Sequence, residues 1–118
     1  MNKNPLYEKS NELAHLVHKI TRVFPKEEVY GVISQLRRAV LSVPLNIVEG
    51  YARQSDKSYK QFLLISYGSL KETKYLLSFS FEEGYLSEKD YKESIALADE
   101  IGKILWVLIG KVKEKTNF

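Results

Sequence analysis

Between Val29 and Ile47 the apolar residues fall at Val29, Ile33, Leu36, Val40, Val43 and Ile47, in alternating steps of four and three. That spacing keeps one stripe of a helix apolar and conflicts with the two-residue period of a half-buried strand. It is also the heptad seam by which helices pack at shallow angles. The same period recurs over most of the chain. The expected fold class is therefore all-α.

Four segments carry the pattern. Leu6, Leu13, Val17, Ile20 and Phe24 mark the first, opened by Pro5 and stopped at Phe24-Pro25, where the residue before proline is pushed out of helical geometry. The second is the seam above. Pro44 lies inside it and predicts a kink near Leu41–Pro44 without a break, because the period continues on both sides. Ser55 is a good N-cap for the third segment, with Asp56 in its first turn. The third has one row at Tyr59, Leu63, Leu70 and Leu77, with Ser66 and Thr73 in the heptad gaps, and another at Phe62, Ile65, Leu76 and Phe79. Its small residues Ser66, Gly68 and Ser69 would let a neighbouring helix approach closely. Gly84 ends this segment and Ser87 caps the next, with Asp90 three residues on. The fourth has one row running from Tyr91 through Ile95, Ala98, Leu105 and Ile109 and another at Leu97, Ile101, Ile104 and Leu108; Lys111, Lys113 and Lys115 crowd its end.

Helices are expected near 6–23, 28–53, 56–83 and 87–114. Short connections then predict an antiparallel up-down-up-down four-helix bundle. A monomeric bundle needs one apolar stripe per helix. The second rows on the third and fourth helices predict burial against other subunits; the alternative is an over-hydrophobic central pair inside a monomer.

A length of 118 residues holds one domain, 1–118. The absence of cysteine excludes disulfides, thiolate metal sites and cysteine nucleophiles. No apolar run reaches the ~18–20 residues that span a bilayer, and Met1–Tyr7 lacks the apolar stretch of a signal peptide. The expected compartment is the cytoplasm, with no membrane partner. The net charge is +3, from 18 Lys+Arg and 15 Asp+Glu. Residues 1–60 hold ten of the basic and six of the acidic residues, so the first half is the basic one. A mildly basic half suits a polyanion and equally suits a solvated surface.

The catalytic candidates fail one by one. Glu12 and His15 have the E-x-x-H spacing of di-iron bundles, but those sites need two such pairs and two further glutamates, and His18 is the only other histidine. Small helical ribonucleases of toxin systems place histidine four to six residues after arginine; here both histidines precede Arg22. Phosphate-loop and nucleophile-elbow motifs are missing. No enzyme activity, metal or cofactor is expected. His15, His18, Lys19 and Arg22 share one polar face, read as a solvated surface or as a phosphate-contacting stripe. Asn46, Glu49 and Arg53 share another. Ile47 and Val48 lie beside them, so this face is expected to be partly buried, with Arg53 and Ser66 or Ser69 as partners of Glu49. A polar clamp between the second and third helices, through Asn46, Glu49, Arg53 and Ser69, is the main reading; a ligand or nucleic-acid site is the other.

These residues also carry a likeness. S-V-P-L-N-I-V-E-G-Y-A-R-Q-S over residues 42–55, followed by F-L-L-I-S-Y-G-S-L-K-E over 62–72, resembles the signature of bacterial four-helix bundle proteins encoded in intervening sequences of large-subunit ribosomal RNA genes. The shared positions are Ser42, Pro44, Asn46, Ile47, Glu49, Gly50, Arg53 and Ser55, then Phe62, Leu63, Ile65, Gly68, Ser69 and Glu72. Val48 and Ser66 stand where alanine is usual, Tyr59 where an acidic residue is frequent, and Lys74 where a glutamate often follows. The family is similar to the accessory protein of diversity-generating retroelements. That likeness implies a homopentameric barrel, nucleic-acid binding and, in a retroelement context, a reverse transcriptase partner. Two functions follow as expectations. One is a non-enzymatic nucleic-acid-binding accessory module, touching RNA or DNA through Lys19, Arg22, Arg37, Arg38, Arg53 and Lys57. The other is a structural oligomer serving as a protein-interaction scaffold without nucleic acid.

Overall fold

The computed structural model describes residues 4–112. Four α-helices account for most of them, and no strand occurs among the described residues. Helix α1 spans Pro5–Thr21. The Asn4 side chain accepts from the backbone N–H groups of Leu6 and Tyr7 at its start, satisfying two of the donors that a helix leaves open. Helix α2 spans Val32–Tyr51 and runs unbroken through the buried Pro44. Helix α3 covers Asp56–Glu82, capped by Ser55, whose hydroxyl accepts from the Ser58 N–H at 3.1 Å. Helix α4 covers Glu88–Lys111, capped in the same way by Ser87 on the Asp90 N–H. Gly84 turns the chain between α3 and α4 at φ +81°, a left-handed geometry that glycine adopts without cost.

The second helix begins later than the apolar spacing predicts. Residues Lys26–Glu28 form a 3-10 turn, and Gly31 takes a non-helical φ of −108° and ψ of −115° before Val32. The Glu28 carboxylate accepts from the Val32 N–H at 3.2 Å and caps α2 from outside. Val29 therefore drops out of the seam and stands 49% exposed. The first helix ends two residues early, at Thr21, although Phe24 still packs into the core. The expected end of the fourth helix at 114, with Lys113 and Lys115, lies outside the described residues.

The four helices enclose one elongated core in a molecule measuring 54 × 25 × 23 Å. Leu13 and Val17 of α1, Leu36, Val40, Val43 and Ile47 of α2, Leu63, Leu70 and Leu77 of α3, and Ile101 and Leu105 of α4 are buried in it. Contacts between elements define two poles. At one, Arg37 of α2 reaches the last turn of α1, and Phe24 meets Tyr85 with ring centroids 5.7 Å apart. At the other, the Asn4 amide donates to the Tyr51 hydroxyl, and Arg53 meets Phe62. Along the length, Lys9 pairs with Glu100 and Lys74 with Asp99, each at 2.6 Å.

The excess apolar width resolves differently on the two helices that carry it. On α4 both rows turn inward: Leu97, Ala98, Ile101, Leu105 and Ile109 are all buried, and Ile104 and Leu108 are half-buried. On α3 the second row divides: Leu76 is buried and Phe62 half-buried, whereas Ile65 and Phe79 are exposed. Helix α2 adds an outward stripe of its own, Leu41, Leu45 and Val48.

Candidate nucleic-acid interface

The six basic candidates do not form one patch. Lys19 and Arg22 lie at the end of α1, and Arg37 near the start of α2, at the same pole. Arg53 and Lys57 lie around the α2–α3 turn, at the other pole. Sixteen residues of helix between Arg37 and Arg53 correspond to about 24 Å of rise.

At the first pole, Arg22, Lys26 and Arg37 line one groove with Thr21, Phe24, Val29 and Ile33, about 380 Å³ in volume. None of these seven residues is acidic. Arg37 is already engaged there. Its Nε donates to Thr21 Oγ1 at 2.9 Å and an Nη donates to the His18 carbonyl at 3.3 Å. A guanidinium on the last carbonyls of a helix is favoured by the helix dipole. Arg37 thus ties α2 to α1, and its remaining N–H groups are what it can offer a ligand. The histidines of the same face do different things. His15 is exposed, whereas His18 is half-buried and its Nδ1 donates to the Ala14 carbonyl at 2.9 Å.

Arg38, one residue on, turns about 100° around the helix. It lines a separate groove over α2 and α3 with Gln35, Ser42, Ser69 and Glu72. Glu72 offsets its charge. Arg53 lines a third groove with Gly50, Ser55, Asp56 and Tyr59, and Lys57 is exposed nearby.

Of the four residues expected to form a polar clamp, Asn46 and Ser69 are joined through Ser42. Asn46 Nδ2 donates to the Ser42 carbonyl at 2.7 Å and to Ser42 Oγ at 2.9 Å, and Ser42 Oγ shares a hydrogen bond with Ser69 Oγ at 2.7 Å. Beside it, Ser66 Oγ donates to the Val43 carbonyl at 2.8 Å, also from α3 to α2. Glu49 takes no part. It is 50% exposed and pairs with Arg53 at 2.6 Å, one helical turn away. The face is partly buried at Asn46, but Glu49 lies towards its outer side and makes no hydrogen bond with Ser66 or Ser69. Arg53 also stacks, its guanidinium carbon 4.6 Å from the centroid of Phe62. An exposed pair of this kind contributes only about 0.3–0.5 kcal/mol.

Sequence reasoning missed a further basic site. Tyr67, Lys71 and Lys74 of α3 and Lys103 and Trp106 of α4 line a groove of about 350 Å³. Tyr67 and Trp106 belong to none of the apolar rows read from the spacing. A large aromatic residue outside the core rows, with lysines three or four positions away, is the signal that could have found it.

Nothing among the described residues gathers three or more histidine, cysteine or acidic side chains around a possible metal position, and no described helix is long and apolar enough to cross a membrane. Fold and surface together define an all-α four-helix protein whose polar features are basic grooves and inter-helix ties. The chain belongs to the family described as 23S rRNA-intervening sequence protein, whose model matches residues 2–107. It is similar to a crystal structure of a protein with unknown function from the S23 ribosomal protein family of Bacteroides thetaiotaomicron VPI-5482. The two are 25% identical, with a TM-score of 0.80 over 88% of this chain and 97% of the other. No curated protein matches the chain. Neither name describes an enzyme.

Proposed function

We propose that this chain is a non-enzymatic nucleic-acid-binding accessory module that works as a homo-oligomer of up-down-up-down bundles in the cytoplasm. The observation that carries the reading is the groove at the α1–α2 pole, where Arg22, Lys26 and Arg37 converge without an acidic neighbour in the lining. Phosphates are the ligand such a groove suits, and phosphate contacts carry no sequence code. The exposed apolar residues of α2 and α3 support self-association. A pentamer is the count that the likeness to the retroelement accessory protein suggests, and a reverse transcriptase is the partner if the chain acts in that setting. One protomer offers few phosphate contacts. A ring repeats them at high effective concentration, so binding depends on assembly.

The test is a mobility shift of assembled protein with RNA and DNA at ~50 mM and ~200 mM salt. Two protomers making three contacts each predict a log–log salt slope of about −4 on a single strand. Arg22→Glu with Lys26→Glu should weaken binding at least tenfold on all sequences; Arg37 is left intact because it ties two helices. A second reading, a scaffold without nucleic acid, is favoured by the outward stripe Leu41, Leu45 and Val48. It takes over if the assembled protein shifts no nucleic acid at ~50 mM salt.

A further inference from the structure

The groove between α3 and α4 combines two features that call for different partners. Trp106 is 64% exposed. Its ring centroid lies 5.5 Å from that of Tyr67, with the planes 39° apart, so a second aromatic ring supports the indole at the surface. Around this pair stand three lysines. Lys71 places its ammonium 5.2 Å from the Tyr67 centroid. Lys74 pairs with Asp99, the single carboxylate of the lining, and Lys103 completes the rim. Three ammonium groups against one carboxylate leave two positive charges beside an exposed indole.

A second copy of the chain could cover the indole. It would also have to strip water from Lys71 and Lys103, and the cost of burying unpaired charge is why lysine is depleted from the centres of protein interfaces. A polyanion that carries flat rings meets both demands at once. Its phosphates face the ammonium groups, and its bases stack on the aromatic surface. Duplexes keep their base faces stacked on one another, so the matching form is a single strand.

We propose that the α3–α4 groove binds single-stranded nucleic acid, with a base stacked on Trp106 and the adjoining phosphates held by Lys71 and Lys103. This rests on the nucleic-acid reading above but uses a different surface. Duplex and single strand then separate by site: the α1–α2 pole takes phosphates of either, and the α3–α4 groove takes unpaired bases.

Trp106 is the only tryptophan of the chain, so its emission reports this groove alone. The full chain is titrated at ~50 mM salt with a twelve-residue oligoadenylate, an RNA duplex of the same length, and inorganic polyphosphate. The expected result is saturable quenching by the single strand and none by the other two. Trp106→Ala should weaken oligoadenylate binding at least fivefold, read by anisotropy of labelled RNA, while duplex binding stays unchanged. Trp106→Phe should recover most of the loss, and Lys71→Gln with Lys103→Gln should flatten the salt slope. If oligoadenylate binds Trp106→Ala as tightly as the native chain, the groove proposal falls and the nucleic-acid reading stands. If no nucleic acid binds at all, both fall. If Trp106→Ala instead lowers the mass seen by light scattering, the indole lies between copies and the groove proposal is overturned.

Discussion

Among the buried hydroxyl side chains, Ser66 reaches furthest, crossing from α3 to the Val43 carbonyl of α2. Thr21, Thr73, Ser80 and Ser94 each donate to a carbonyl four residues back on their own helix. Ser10 is fully buried and its hydroxyl has no partner among the described residues. These differences set opposite expectations for one substitution. Ser66→Ala should lower stability by about 0.5–1.5 kcal/mol, the net worth of a lost internal hydrogen bond. Ser10→Ala removes a group that pays desolvation without return, and should raise stability by about 1 kcal/mol. Denaturant titration of both variants checks the pair; a Ser10→Ala chain less stable than the native one would show that the hydroxyl is satisfied. The core positions of Ser66 and Thr73 were legible because helical spacing assigns them whatever their polarity. The surroundings of Glu49 were not. Spacing put Asn46, Glu49 and Arg53 on one face, but it does not say how far round that face the neighbouring helix reaches, and α3 covers Asn46 and stops short of Glu49.

At the scale of elements, α2 owes its attachment to α1 to few polar contacts, and Arg37 makes two of them. Hydrogen bonds to a charged group are stronger than neutral ones, so Arg37→Met should cost about 1.5–3 kcal/mol. Arg38→Met, one position along on an exposed face, should leave the urea midpoint unchanged. Equal effects at the two positions would mean that charge, and not the tie to Thr21 and His18, sets the stability there. The sequence supplied the reason to look at both arginines and no means of telling them apart. It also showed the four helices and the caps Ser55 and Ser87, because periodicity and cap chemistry are local. The start of α2 was misread for the same reason. Val29 fits the four-residue step to Ile33, and nothing in that spacing registers that Gly31 leaves helical geometry or that Glu28 folds back to cap Val32.

Over the whole molecule, the pole formed by Asn4, Tyr51 and Tyr59 couples folding to alkaline pH. Burial pushes the Tyr51 hydroxyl above its ordinary 10.0, partly offset by the Asn4 amide, and burial with the neighbouring Tyr51 does the same to Tyr59. Above pH 10 the folded chain therefore holds more protons than the unfolded one. Stability contributed by these phenols is complete below pH 10 and is lost as pH rises through the raised values. Tyr51→Phe with Tyr59→Phe should shift less in melting temperature between pH 9 and 11 than the native chain. Tyr85 at the other pole, raised by burial and then by the Glu28 charge, leaves part of the alkaline loss in place. An unchanged pH profile in the double variant would show that the two phenols ionise equally in both states.

The same pole has a topological consequence. Asn4 and Lys111, near the two limits of the described chain, line one apolar cleft with Tyr51 and Tyr59. Gly84 sits on the opposite side of the molecule, where Tyr85 meets Phe24. A short flexible linker could join residues 4 and 111 while the backbone is opened at Gly84, yielding a circular permutant in which all four helices keep their neighbours. Fluorophores attached at residues 4 and 111 would therefore sit beside each other across that cleft and report its integrity within the protomer.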